Sequence, residues 1–336
     1  YRHVLDIPTE NKFELRRIES EGGLLRLHLE ASGKSFAVLT RRLVLATGRA
    51  AFGGARLPSA FKNLPNTAYA HTEDAIDFGR LKDKRVIVIG GAASAVDAAA
   101  EALETGAKEV HLLMRARTIP RLNKFKSSVY PGFFRGFNYL NDETRWRFLQ
   151  HGFATKIAAP RASMLRLKAF ENFHLHLGCP VEAARSRDEK VELTTPNGTY
   201  EADFVILGTG YAINIVDQQE FSAFADQVLL WQDRYRPPED IEYPELGRFP
   251  YLGAGFELLE KQPGSAPFLS QIHLFNAATT MTHAAVSSDI PGVNIGAERL
   301  INALVVKFFN DAKSEHLADF YEYSDPELLG DEWNET

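Results

Sequence analysis

Between residues 13 and 46 the chain alternates in twos: Leu25, Leu27 and Leu29 are apolar, whereas Arg26, His28 and Glu30 between them are polar. That period lays one face of a strand on a core and leaves the other in water. With Glu21-Gly22-Gly23 as a turn, the stretch predicts a β-meander. Alternation stops at Arg42-Leu43-Val44-Leu45-Ala46, which reads as a strand buried on both faces and closing at Thr47-Gly48. Residues 49–80, with Gly53, Gly54, Pro58 and Pro65, read as a connection.

The period changes again from residue 84. A strand Arg85-Val86-Ile87-Val88-Ile89 meets the small-residue turn Gly90-Gly91-Ala92-Ala93-Ser94-Ala95, and an Ala-rich helix follows to about Thr105. Gly106 caps it, and Val110-His111-Leu112-Leu113-Met114 forms the next strand, completing one βαβ unit. Residues 131–172 carry helical spacing, as in Arg145-Trp146-Arg147-Phe148-Leu149, and residues 173–200 read as a second meander turning at Pro196-Asn197-Gly198. A second strand of the doubly buried kind, Asp203-Phe204-Val205-Ile206-Leu207, ends in Gly208-Thr209-Gly210-Tyr211. The likeness of this run to residues 43–48, with the βαβ unit between them, predicts nesting. The expected fold is α/β, with a Rossmann-like dinucleotide-binding domain inserted into a host domain that carries β-meanders. The expected boundaries are 1–80 and 201–336 for the host and 81–200 for the insert. The acidic tail, residues 319–336, reads as surface or a packing arm.

Composition narrows the chemistry. The 38 Lys+Arg against 44 Asp+Glu give a formal charge of −6, which argues against nucleic acid, since a phosphate backbone demands a basic face. One cysteine, Cys179, excludes an internal disulfide framework and a Cys-x-x-Cys redox pair, and it points to a reducing, cytoplasmic setting. No apolar run approaches the roughly 18–20 residues needed to span a bilayer, so no membrane partner is expected. A small-molecule substrate is, and an oligomer is left open.

The turn at Gly90, Gly91, Ala92, Ser94 and Ala95 admits a pyrophosphate to the first amides of a helix, which lack intrahelical partners and carry the positive end of its dipole. Ala92 stands where a middle Gly is usual and Ala95 where a third Gly is. At the tip of the following strand no carboxylate awaits a ribose hydroxyl. Arg115 and Arg117 stand there instead, favouring NADPH through its 2′-phosphate. His174 and His176 face one way on a strand, but without an evident third ligand they predict no metal site. Cys179 reads as a small packed residue, and the aromatic runs 231–235 and 249–253 read as core and loop packing.

Together, Leu45-Ala46-Thr47-Gly48, the turn at residues 90–95 with Arg115, and residues 203–211 make the chain resemble a flavin-containing monooxygenase-like flavoprotein with two dinucleotide-binding domains. The last run is similar to the Asp-x-x-x-Leu/Phe-Ala-Thr-Gly-Tyr signature of flavin N-hydroxylases, with Gly208 in place of Ala. The resemblance implies that the insert is a Rossmann-like NAD(P)-binding domain and its host an FAD-type domain truncated at its start. It also implies NADPH and FAD as cofactors, reduction of flavin by NADPH, activation of O2 and oxygen transfer to a small nucleophile. It implies that Thr47, Gly48, Thr209, Gly210 and Tyr211 line the crossover between domains. It also implies that a helix opening near Asn294 and running to about Phe309 points its first amides at the flavin. The family's Gly-rich FAD turn has no counterpart in these residues, so one further βαβ-containing segment is expected upstream of Tyr1. No catalytic residue singles itself out, as expected where cofactors carry the difficult chemistry. An NADPH-binding module or a flavin reductase without oxygenation is the alternative reading.

Overall fold

The computed structural model describes residue 2, residues 4–49 and residues 52–332. The first meander is three antiparallel strands in sequential order, β1 (Glu14–Glu21), β2 (Leu24–Ala31) and β3 (Lys34–Thr40). Next, β4 (Leu43–Gly48) crosses to a different sheet, where it pairs in parallel with a strand from the far end of the chain, β13 (Ile272–Asn276). Its core joins Ile18 and Leu25 of the meander to Leu45, Ile272 and Leu274.

The central sheet has five strands in the order β5 (Tyr69–His71), β12 (Phe204–Leu207), β6 (Arg85–Ile89), β7 (Glu109–Leu113), β8 (Phe173–His176), every neighbouring pair parallel. Helix α1 (Ala93–Glu104) connects β6 to β7. Its alanines explain how it lies so close: Ala95, Ala99, Ala100 and Ala102 are fully buried against Val86, Val88, Val110, Leu112 and Ile206 on one face of the sheet. Gly106, in the left-handed region at φ +93°, ends the helix where a Cβ would be strained. On the other face Ile87, Leu113, Val205 and Leu207 pack on Val191 and Leu193 of the second meander, β9 (Ala183–Arg187), β10 (Lys190–Thr195) and β11 (Gly198–Ala202).

Two expectations are corrected here. Phe204–Leu207 does not return the chain to the sheet of β4; it pairs with β6 at Phe204↔Val86 through Leu207↔Ile89, so the central sheet draws strands from beyond residues 80 and 200 alike. A doubly buried strand needs neighbours on both sides, and β5 and β6 supply them. Likewise β8 is not a meander strand but the parallel edge partner of β7, and the second meander starts only at Ala183.

Helices α2 (Pro131–Gly136), α3 (Asp142–Ala154) and α4 (Arg161–Lys168) follow β7. Only α4 stays with the central sheet, through Leu167. Helices α2 and α3 pack instead on the C-terminal part: Phe137, Trp146 and Leu149 share a core with Trp231, Leu246 and Met281. These last come from the short helices α5 (Trp231–Arg234), α6 (Pro244–Gly247) and α7 (Thr280–His283). Arg145 is buried in that junction, paired with Asp142, donating to Tyr251 Oη at 2.9 Å, and set over the Trp231 ring. The last helices are α8 (Val293–Asp311) and α9 (Lys313–Glu322), so the acidic tail begins inside a helix; its residues 319–332 are exposed, and residues 333–336 lie outside the described residues. Among the described residues no helix is long and apolar enough to cross a membrane.

Candidate functional site

From β6 the chain continues to β7 and β8 on one side, whereas β12 and β5 lie on the other. The order therefore reverses between β6 and β12, and a crevice opens at their carboxyl ends. Gly90 and Gly208 meet there. Gly90 donates its amide to Leu113 O at 3.1 Å and Gly208 donates to Ile89 O at 2.8 Å, which holds both turns beside the strand tips. A Cβ on Gly90 (φ +140°) would come within 2.4 Å of Gly208 O, and one on Gly208 would come within 2.4 Å of Ala95 Cβ. Glycine at these two positions lets α1 begin directly on the sheet. Gly91 is limited more gently, by Met114 Sδ at 3.0 Å from a hypothetical Cβ.

Helix α1 opens at Ala92 with no side chain capping its amides. Ala92 and Ser94 are exposed and Ala95 is buried, so the open side of the turn faces the crevice mouth with the helix dipole behind it. At the next strand tip Arg115 and Arg117 are exposed, and the backbone around them is pinned where Cys179 N donates to Met114 O and Gly178 N donates to Ala116 O. Both arginines line a cleft of about 560 Å3 together with Gly178, Pro180 and Asn197. One part of the expected set, residues 90–95 with Arg115 and Arg117, thus lies at the carboxyl ends of the adjacent strands β6 and β7.

The Thr-Gly turns form the other part. Gly48 and Gly210 adopt nearly the same left-handed conformation, φ +83° and +79°. They end strands of different sheets. Beyond them the two crossing segments run antiparallel: Arg56 N donates to Gly210 O at 2.8 Å, Ala212 N to Gly54 O at 3.1 Å, and Asn214 N to Phe52 O. Thr209 Oγ1 donates to Arg56 O. Gly53 is required in this pairing, since a Cβ there would approach Ala212 O to 2.1 Å. Tyr211 lies edge-on to His71 at the tip of β5, with ring centroids 5.6 Å apart. Asn294 is exposed in the first turn of α8, which starts at Gly292 and, like α1, has no side-chain cap.

Sequence reasoning passes over the residues that lock the tip of β4. Asn276, fully buried at the end of β13, donates through Nδ2 to Leu45 O at 3.1 Å and to Thr47 Oγ1 at 3.2 Å, and its Oδ1 accepts from Ala278 N. Its own carbonyl accepts from Ser287 Oγ at 2.7 Å, and Ser287 is hydrogen-bonded to Thr279. His283 is also fully buried, donating from Nε2 to Gly253 O at 2.9 Å while Nδ1 accepts from Arg299 at 3.1 Å. Burial, with help from the Arg299 charge, lowers its pKa to about 3, so the ring is neutral. Arg299 reaches from α8 to Phe134 O on α2 at 2.8 Å, tying the α8 start to the helical part of the insert. A lone Asn after an apolar strand looks like a turn residue, and only the pairing of β13 with β4 gives it a role.

A parallel sheet with an uncapped, small-residue turn at its switch point, joined through paired crossing segments to a second parallel pair that ends in a like Thr-Gly turn, has the architecture of a dinucleotide-binding unit set beside a second unit. The chain belongs to the flavin monooxygenase-like family of FAD/NAD(P) oxidoreductases. It is 30% identical over 333 residues to the FAD-dependent urate hydroxylase of Xanthomonas campestris, covering 98% of this chain and 70% of that protein. The pyridine nucleotide-disulphide oxidoreductase family matches residues 5–166. Among solved structures, the reduced ornithine hydroxylase of Pseudomonas aeruginosa superposes with a TM-score of 0.66 at 18% identity over 87% of this chain and 70% of that one. The L-lysine 6-monooxygenase of Pseudomonas syringae superposes at 0.60 with 21% identity, over 89% and 71%.

Proposed function

We propose that the chain is an NADPH- and FAD-dependent monooxygenase acting on a small nucleophilic substrate. The observation that carries this reading is the uncapped start of α1 at the crevice between β6 and β12, with Arg115 and Arg117 exposed just past the carboxyl end of the neighbouring strand β7. The residues fit a dinucleotide 2′-phosphate. Gly90, Gly91, Ala92, Ser94 and Ala95 would take the pyrophosphate on the α1 amides, and Arg115 with Arg117 the 2′-phosphate through charge-assisted hydrogen bonds. On the other side Thr47, Gly48 and the α8 start with Asn294 fit a flavin, with Thr209, Gly210 and Tyr211 at the crossing. When bound, the two cofactors supply the electron transfer and oxygen activation. The protein's part would be to hold the two rings in register and to exclude water.

The 30% identical relative acts on urate by its name, which supports a substrate with an electron-rich, nucleophilic centre. For the domain organisation we infer a dinucleotide unit that leaves the host after β4 and returns after β12, with α2 and α3 bridging to the host. The single buried cysteine supports a cytoplasmic setting, and the net charge of −6 supports a partner list without nucleic acid. The test is NADPH oxidation and oxygen uptake by the full chain supplied with FAD, with urate and with primary amines. Oxygen consumed in step with a hydroxylated product is expected. NADPH oxidation that yields only hydrogen peroxide with every substrate would make it a reductase, and binding of NADPH without turnover would make it a binding module.

A further inference from the structure

The two histidines that sequence reasoning leaves without a third ligand acquire one when β7 pairs with β8. In that register His111 lies opposite His174, and Glu109 and His111, two apart on β7, share the face that His174 and His176 occupy on β8. Ligand atoms of Glu109, His111 and His174 lie within 4.8 Å of one another. Glu109 Oε1 is 2.9 Å from His111 Nε2 and 3.3 Å from His174 Nε2, while Oε2 is held by Arg85 Nε at 2.9 Å. One carboxylate oxygen is thus fixed by a guanidinium and the other is presented to two imidazoles. Behind them runs a supporting line: His111 Nδ1 is 2.9 Å from His176 Nε2, and His176 Nδ1 is 3.2 Å from Tyr200 Oη on β11.

We infer that Glu109, His111 and His174 form a binding site for one divalent transition-metal ion of the Zn2+ class, separate from the dinucleotide crevice. The ligand set of two imidazoles and one carboxylate matches borderline ions rather than Mg2+ or Ca2+, which seek oxygen alone. Seating the ion needs His111 and His174 to carry their protons on Nδ1. The line behind His111 accommodates that shift without losing a proton: His111 Nδ1–H donates to His176 Nε2, and His176 Nδ1–H donates to Tyr200 Oη. Such a partner on the remote nitrogen orients a metal-bound imidazole and raises its basicity. Side-chain exposure rises from 16% at His111 through 24% at Glu109 to 43% at His174, which gives the ion an entrance on the His174 side and leaves a coordination position open to water. Burial lowers the pKa of His111 and of His176, in accord with neutral rings. Burial pushes the Glu109 carboxyl up, but its hydrogen bonds from Arg85 and His111 outweigh this, and it stays ionised.

The experiment is titration of the tag-free full chain, stripped with EDTA and desalted, with ZnCl2 in competition with a chromophoric chelator. One Zn2+ per chain is expected, together with a rise in thermal midpoint that grows with free Zn2+. His174→Ala and Glu109→Gln should each weaken binding by roughly 100-fold, and His176→Phe, which removes only the supporting contact, by about 10-fold. Because His174 is half-exposed, its variant should melt in EDTA at the wild-type temperature, which separates lost ligation from lost folding. Absence of stoichiometric Zn2+ overturns the inference. So does binding that survives His174→Ala, or binding that is abolished by Cys179→Ser while His174→Ala retains it. None of these outcomes depends on flavin, NADPH or turnover, so the monooxygenase reading is tested apart from this one.

Discussion

Two strand ends in this molecule are spelled almost alike, Leu45-Ala46-Thr47-Gly48 and Leu207-Gly208-Thr209-Gly210, and both close with glycine in the same left-handed conformation. Their surroundings differ. Ala46 is exposed, and the tip of β4 is fixed from the side by Asn276 of its partner strand. Gly208 is squeezed against Ala95, the residue of α1 that stands where a third glycine of the dinucleotide turn is usual. The missing methyl at 208 and the methyl at 95 face each other, and the backbone of residue 95 stands close behind, so the two departures from the family's pattern that sequence comparison registers separately meet at one contact. A motif letter has to be read together with the residue that faces it.

The largest expected effect loads that contact. Gly208→Ala should destabilise the fold by about 3 kcal/mol, as overpacking against a helix backbone does. Adding Ala95→Gly removes the methyl but leaves the residue 95 Cα 2.8 Å from the new Cβ, so it should recover only a small part of the loss. Ala46→Gly, the same change at the other turn in reverse, should have a far smaller effect. Urea unfolding midpoints of Gly208→Ala, Ala95→Gly and the double variant against the wild type measure the coupling, and additive losses would separate the two substitutions again.

Next comes the charge at the dinucleotide end. Arg115→Ala should weaken NADPH by roughly 10- to 100-fold, the worth of one charge-assisted hydrogen bond, and leave NADH almost unchanged. Equal loss for both coenzymes would place the 2′-phosphate elsewhere. At the opposite end, Asn276→Ala leaves Leu45 O and Thr47 Oγ1 without their buried donor and should cost about 2 kcal/mol, with FAD retention falling before NADPH affinity does. Equilibrium dialysis of both cofactors against the variant would show the order.

The remaining effect is a pH dependence. Burial holds His283 near 3 in the folded chain, against 6.5 for a free imidazole. Between those values the unfolded chain binds a proton that the native chain refuses. The stabilisation is therefore whole above pH 6.5 and is lost progressively as the pH falls toward 3, at about 1.4 kcal/mol per unit. His283→Gln should flatten this part of the profile of unfolding midpoint against pH, and an unchanged slope would assign the acid sensitivity to another group.

Much of the fold is legible in the residues. The meander from Glu14 to Thr40, the βαβ unit of β6, α1 and β7, and helix α8 are all written in local period and turn chemistry. The places where reading fails share a cause: strand pairing is non-local. Phe204–Leu207 and Phe173–His176 have the composition of buried strands, but nothing within them names their neighbours, so the first was assigned to the wrong sheet and the second to a meander. The same blindness hides Asn276, whose partner Leu45 lies 231 residues away, and Glu109 and His111 as companions of His174. The turn at residues 90–95 was legible because its requirement is local: a small side chain wherever backbone must come close.

The paired crossing segments, residues 52–56 against 210–214, carry a mechanical implication. Two separate tethers would let the inserted unit swing freely about either one. Laced together by backbone hydrogen bonds and flush at Gly53, they behave as a single ribbon, stiff to bending within its plane and compliant mainly to twist. Because α2 and α3 also share a core with the C-terminal part, any twist of the ribbon would have to slide or break that junction, so ribbon and helices together clamp the two sheets in one mutual orientation.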